Sequence, residues 1–344
     1  MTSVDHDIQG LLVLPRLRIQ NANAISSPLT HGFPSMTAFL GLMWALDRKL
    51  AAAGIPLVPV KVGVVCHGYE EQVQHGYVDT FHLTRNPVDK NGDTAAIVEE
   101  GRIHLDITLV LQVDGGDPAD PANILLHGDD AQRRQLAGSV HELVSSMRVA
   151  GGSVLPTQPA PGKLLAPQLL LWPEEPEERV RAFRRLRRQL LPGFTLVSRE
   201  DLLRERIELQ REQGGEISRL SAWLDLSRFN YRSETDEHKQ VTWQHDRPPG
   251  AGWLVPIPVG YGALSPLHEG GQVLNARDNK TPFRFVESLY SLGQWISPHR
   301  LHMPGDLLWY AESSPDRGSY RCCNDYIAPP SEEYIEPMSV EPSV

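Results

Sequence analysis

Residues 8–19 (IQGLLVLPRLRI) open as an unbroken apolar run and then alternate, with Leu17 and Ile19 on the face opposite Arg16 and Arg18. That pattern predicts a strand whose far end presents cations. From Ser35, a residue suited to an N-cap, Phe39, Leu42, Met43, Leu46 and Leu50 recur at helical spacing until Gly54 stops the run. Strands are expected at residues 58–66 and 103–113, and in the second Ile103, Leu105, Ile107, Leu109, Leu111 and Val113 alternate without a break. Between them, residues 68–101 are rich in turn residues, including Asn86-Pro87 and Asn91-Gly92. They form an excursion longer than a hairpin needs, and such excursions often reach a ligand.

A helical pattern over residues 130–149 completes the order strand, helix, strand, strand, helix. That order implies an α+β fold with an RRM-like or ferredoxin-like core, its helices on one face of the sheet. After Gly151-Gly152 and a Pro-rich connection, helices are expected at about residues 177–191, 200–212 and 217–229, as an added helical domain. Beyond Arg247-Pro248-Pro249-Gly250 a mixed pattern resumes, with a strand piece at 253–257 and a helix at 282–295. The expected division is a core at 1–155 that includes the 68–101 excursion, a helical domain at 156–235, an α/β remainder at 236–327 packing on the core, and a loosely ordered Pro/Glu/Ser tail at 328–344.

Charge narrows the function. The 344 residues carry 33 Lys and Arg against 43 Asp and Glu, a formal charge of −10. A chain this acidic does not coat nucleic acid with a uniformly basic surface, so any such contact is local. Of three cysteines two are adjacent, Cys322 and Cys323, which gives no disulfide framework and fits a reduced, cytoplasmic protein. No run approaches the ~18 apolar residues of a membrane span, and the N-terminus lacks the positive region of a signal peptide. Neither a membrane nor export is expected.

Cationic groups gather in a few places. Arginine fills six of the ten residues 179–188. On a helical wheel Ala182, Phe183, Leu186 and Leu190 fall on one side, and Arg181, Arg184, Arg185 and Arg188 on the other. That face either meets nucleic acid or an acidic partner, or is solvated beside Glu174, Glu175, Glu177 and Glu178. A second cluster joins Arg16 and Arg18 to Gln20, Asn21, Asn23, Ser26, Ser27 and His31. Phosphates and unstacked RNA bases require that mixture of cations, amides and hydroxyls, unless the loop bonds its own backbone. Third, Arg148, Gly151, Gly152 and Ser153 place glycines where they either end a helix or admit another backbone, without the spacing of a phosphate-binding loop. Arg85 and Asn86, and Asn275, Arg277 and Arg284, are further candidates for phosphate contact. No motif with metal-ligand or nucleophile spacing occurs, so neither metal nor cofactor is expected. His67, His75 and His82, near Cys66, leave metal-free ribonuclease chemistry as the catalytic alternative.

Many of these residues also carry a resemblance. The runs LPRLRIQNANAISSPLT (14–30), LTRNP (83–87), TAAIVEEGRIHL (94–105), MRVAGGSVLP (147–156), LLPGFTLVSRE (190–200), GWLVPIPVGY (252–261), NARD (275–278) and SPHR (297–300) resemble the second-subunit family of the type I-F CRISPR-associated Csy proteins. The resemblance implies an RRM-like core with an added helical region, no reaction of its own, and a place at the 5′ end of the guide RNA. As partners it implies the 5′ handle of the guide RNA, a large subunit forming a heterodimer, the backbone subunit, and target DNA through the complex. Two rival readings are a metal-independent endoribonuclease that processes CRISPR repeat RNA, and a protein-interaction module whose arginines bind acidic neighbours.

Overall fold

The computed structural model describes residues 8–85, 88, 92–94, 97–156, 166–212, 218–229, 231–235, 239–245, 247, 252–276 and 278–329. Eleven strands form one sheet: β1 (Gly10–Asn23), β2 (Val58–Glu71), β3 (Arg102–Asp114), β4 (Arg148–Val149), β5 (Gly152–Leu155), β6 (Gln168–Leu171), β7 (Phe194–Ser198), β8 (Trp253–Ala263), β9 (Val286–Ile296), β10 (Trp309–Ser314) and β11 (Ser319–Asn324). Their order is β4-β5-β1-β3-β2-β7-β9-β8-β11-β10, with β6 beside the start of β1. A further pairing of β10 with β2, Trp309 opposite Val62, curls the sheet back on itself. The described helices are α1 (Met36–Ala52), α2 (Ile124–His127), α3 (Asp130–Ser145), α4 (Pro176–Gln189), α5 (Glu200–Glu212) and α6 (Arg219–Ser227). The fold is therefore α+β, and among the described residues no helix is long and apolar enough to cross a membrane.

The two faces of the sheet are buried differently. Ile103, Leu105, Ile107, Leu109, Leu111 and Val113 of β3 join Leu12, Leu14, Leu17 and Ile19 of β1 in a core closed by α1 and α3. Ser35 caps α1 by accepting from the Thr37 amide, and Asp129 caps α3 in a reciprocal pair with Gln132. The opposite face buries Leu11, Val13, Val65 and Val110 against Phe183 and Leu186 of α4 and Leu190 beyond it. Past Thr108 on β3 that face turns polar, with Arg18 and Gln20 exposed above it.

Two expectations need correcting. Residues 282–295 are not helical; they supply most of β9, which is bonded to β7 on one side and β8 on the other. Leu289, Leu292 and Ile296 fit a helical period, but ladders on both edges override it, and a Cβ at Gly293 would stand 2.8 Å from Leu196 Cδ1. The helix expected over 130–149 ends at Ser145, and Arg148–Leu155 folds instead as the β4–β5 hairpin. Ala150 and Gly151, with φ of 48° and 81°, make its two-residue turn. The stretch 156–235 contributes α4, α5 and α6 and also β6 and β7 of the main sheet. In the 68–101 excursion, Val73–Gln74 pairs with Thr80–Phe81 and Leu83–Arg85 with Ile97–Glu99. Residues 330–344 of the tail lie outside the described residues.

Candidate nucleic-acid interface

Two irregularities shape β1. Its register against β3 shifts between Leu14 and Leu17 and again between Ile19 and Ala22. Arg16 and Asn21 sit in these bulges with φ of 54° and 56°. A non-glycine residue holds that conformation only where its surroundings enforce it, and here the polar side of β3 does so. The Arg16 amide donates to Thr108 Oγ1 at 3.2 Å, the Asn21 amide to His104 Nδ1 at 3.1 Å, and Arg16 Nη2 lies 2.8 Å from Asp106 Oδ2. Bulges of this kind re-aim side chains out of the pleat.

The polar chain continues to His67 on β2. Its Nδ1 lies 2.6 Å from the Pro192 carbonyl, which only accepts, so Nδ1 carries the proton. Nε2, 2.7 Å from Thr108 Oγ1, is then the acceptor and the hydroxyl donates. Burial pushes the imidazole below its ordinary pKa; the Pro192 carbonyl opposes that, and the charge of Arg16 reinforces it. The ring is neutral with both nitrogens occupied. Beside it, burial pushes the Cys66 thiol up to about 11, far from a reactive thiolate.

Several loop side chains brace the loop itself. Asn23 donates to the Ile25 carbonyl (2.8 Å) and accepts from its amide (3.2 Å). Ser26 and Ser27 both bond Thr30 Oγ1, at 2.8 and 2.6 Å, and His31 Nδ1 lies 2.9 Å from Glu71. By contrast the side chains of Arg18, Gln20 and Asn21 are exposed and have no hydrogen-bond partner among the described residues. The β4–β5 hairpin joins this surface, pairing Arg18 with Leu155, Ile19 with Val154 and Gln20 with Ser153. The Asn23 amide donates to the Ala150 carbonyl at 2.8 Å. Gly152 is required here, since a Cβ would stand 2.7 Å from the Ala22 nitrogen. Exposed Arg148 reaches its own turn, Nη1 to the Gly151 carbonyl at 3.1 Å.

Other candidates lie elsewhere. Arg284, in the connection between β8 and β9, donates to the Pro315 carbonyl at 2.8 Å, and Asn275 occupies a left-handed turn (φ 60°) of the same connection. Asn86, Arg277 and the side chain of Arg85 lie outside the described residues. On α4, Arg187 is spent on the His299 carbonyl at 2.9 Å, while Arg181, Arg184, Arg185 and Arg188 are exposed. The neighbouring glutamates do not neutralise them: the one ion pair among the described residues, Arg181 with Glu177 at 3.9 Å, joins side chains 68% and 92% exposed.

Two depressions adjoin on this side of the molecule. One, of about 570 Å³, lies over Arg18, Gln20, Tyr69, His104 and Asp106. The second, of about 510 Å³, is walled by Phe33, Tyr69, Phe194, Trp253 and Trp295, and the two share Gly68 and Tyr69. Nothing in the spacing of the chain announces the second, because its aromatic residues come from five separate segments. A usable signal is Pro256 and Pro258 inside β8: proline cannot donate to a ladder, and β8 meets β11 only at Gly260–Gly262, leaving an open edge beside the cleft.

A family model described as CRISPR-associated protein (Cas_Csy2) matches residues 12–322. The chain belongs to this family. CRISPR-associated protein Csy2 of Pseudomonas aeruginosa (strain UCBPP-PA14) is 46% identical to it over 329 residues, covering 92% of this chain and 95% of the relative. The matched span begins in β1 and ends in β11, so the bulged strand, the β4–β5 hairpin and both depressions fall within the length that defines the family. Among the described residues no three His, Cys, Asp or Glu side chains gather as a metal site.

Proposed function

We propose that this chain is a non-catalytic subunit of a type I-F CRISPR RNA-guided surveillance complex, where it holds the 5′ handle of the guide RNA and pairs with the large subunit. On this reading it also contacts the backbone subunit, and acts on target DNA through the complex. The observation that carries the proposal is the doubly bulged β1. It gathers Arg16, Arg18, Gln20 and Asn21, with Arg148 on the adjoining hairpin, into one donor-rich surface on an acidic protein. Arginines suit phosphates, and amides suit the edges of unstacked bases.

The core fits an RRM-like reading: β1, α1, β2, β3, α3 and β6 follow one another, interrupted by the β4–β5 hairpin, and their strands lie in the order β6-β1-β3-β2. Helices α1 and α3 share one face, which leaves the polar stretch of the other for a ligand. Guide-directed systems leave sequence reading to base pairing while protein holds the RNA by backbone and shape, which suits a surface without a catalytic constellation. A ribonuclease reading through His67 needs that ring free to move a proton, and neither of its nitrogens is free; His75, 3.0 Å from Asp79, and His82 lie exposed on the 68–101 excursion.

The test is binding of the chain, co-expressed with the large subunit, to handle RNA and to scrambled RNA of equal length across a salt series, with both RNAs checked for cleavage. Tighter, salt-dependent binding to intact handle RNA is expected. Equal weak binding to both RNAs, or metal-free cutting, overturns the proposal.

A further inference from the structure

We infer that the aromatic cleft beside the open edge of β8 takes one unstacked base of the RNA strand held on β1. This rests on the function proposed above and adds to it a subsite that reads stacking rather than charge. Trp253 and Phe194 are 47% and 46% exposed, with ring centroids 6.1 Å apart in edge-to-face geometry. Behind them Trp295 meets Phe33 edge-on at 4.8 Å and Trp253 at 6.0 Å. Large aromatic rings left half exposed around a concavity mark a surface that is covered in use.

What covers it follows from the neighbourhood. The cleft and the Arg18/Gln20 depression share Gly68 and the 61% exposed Tyr69, so a strand whose phosphates meet Arg18 lies beside the mouth of the cleft. Cations beside exposed aromatic rings are the combination that single-stranded nucleic acid uses, and here Arg18 stands beside Tyr69, with Asp106 of the same depression paired to Arg16. The one carboxylate lining the cleft, Glu71, is hydrogen-bonded to His31 at 2.9 Å, so the cleft suits an uncharged base and leaves the phosphates to Arg18 outside it. An added peptide strand suits the edge poorly, because Pro256 and Pro258 offer it no amide donors. The volume of about 510 Å³ admits one nucleotide and not a duplex.

The experiment uses the complex co-expressed with the large subunit and handle RNA carrying 2-aminopurine at one position at a time. Expected is strong fluorescence quenching at one position. Trp253→Ala should relieve the quenching and weaken handle binding roughly 5- to 100-fold with an unchanged salt slope, and Trp253→Phe should restore most of both. Because Trp253 is half exposed, the variant is expected to fold, and its thermal midpoint is measured alongside. If Trp253→Ala and Phe194→Ala bind the handle as wild type does while Arg18→Ala still weakens binding, the base pocket is wrong and the handle reading stands. If those variants instead lose the large subunit and keep RNA, the cleft holds a protein side chain and the inference is overturned. If wild type shows no preference for the handle, the functional reading itself fails.

Discussion

Replacing His67 with alanine separates a structural histidine from a catalytic one. The substitution removes the bonds to the Pro192 carbonyl and to Thr108, whose side chain is otherwise enclosed at 2% exposure. Each buried polar group left without a partner costs about 1–3 kcal/mol. Thr108 still accepts from the Arg16 amide, and water can reach the carbonyl of exposed Pro192, so both shares are small and the sum is about 1–2 kcal/mol. With a urea m-value near 3 kcal/mol/M, the unfolding midpoint falls by about 0.3–0.7 M. Urea unfolding followed by tryptophan fluorescence measures it, and His67→Gln, which keeps one donor and one acceptor, should recover part of the loss. A midpoint unchanged in His67→Ala would refute the hydrogen-bonded role. Metal-free RNA cutting by wild type that this variant abolishes while staying folded would make the histidine catalytic.

Acid should weaken the same fold: the folded His67 pKa lies below the unfolded 6.5, so the unfolded chain takes up its proton first as pH falls. The stability it contributes is present above pH 6.5 and lost below it, at no more than ~1.4 kcal/mol per pH unit and less with solvent screening; urea midpoints between pH 7.5 and 5.5 should fall less steeply in His67→Gln. Arg18→Ala should flatten the log–log salt dependence of handle binding by about 0.7, the single-strand value for one phosphate, and an unchanged slope would remove Arg18 from the RNA track. On α4, Phe183→Ala should cost about 3–5 kcal/mol and Arg184→Ala within about 0.5 kcal/mol, so equal losses in thermal unfolding would contradict the assignment of buried and exposed faces. Deleting Asn21 should leave a chain of near wild-type stability with weakened handle binding, whereas deleting Arg18 should cost several kcal/mol; thermal unfolding distinguishes the two, and equal midpoints would contradict the register described for β1.

The layers were legible because single-face burial writes itself into the chain. The alternation of β3, the stripe of α1 and the apolar side of α4 all reappear as buried positions. The interface was legible only as chemistry. Sequence placed Arg16 through His31 on one exposed stretch, yet it did not show that Asn23, Ser26 and Ser27 spend their hydrogen bonds on their own turn while Arg18 and Gln20 stay free. That division depends on Thr30 and on the hairpin from residues 148–155, more than a hundred positions away. The β9 misreading has a related origin, since its apolar spacing satisfies two periods and only the flanking strands select one.

The bulges of β1 left a trace that alternation alone explains. Inward positions run Leu12 and Leu14, then Leu17 and Ile19, then Ala22 and Ala24, so their parity changes twice. In an unbroken strand such a change would turn every later apolar side chain toward solvent. Each shift instead marks an inserted residue that the ladder skips, and the insertions are Arg16 and Asn21. Removing Asn21 returns Ala22 and Ala24 to the parity of Leu17 and Ile19, so the core survives and only an outward polar group is lost. Removing Arg18 makes Leu17 and Ile19 neighbours and forces one of two fully enclosed side chains out of the core, at a cost of several kcal/mol, on the order of truncating it to alanine. The strand thus carries a higher density of outward polar groups than a period of two permits, and a donor-rich surface on an acidic chain needs that density.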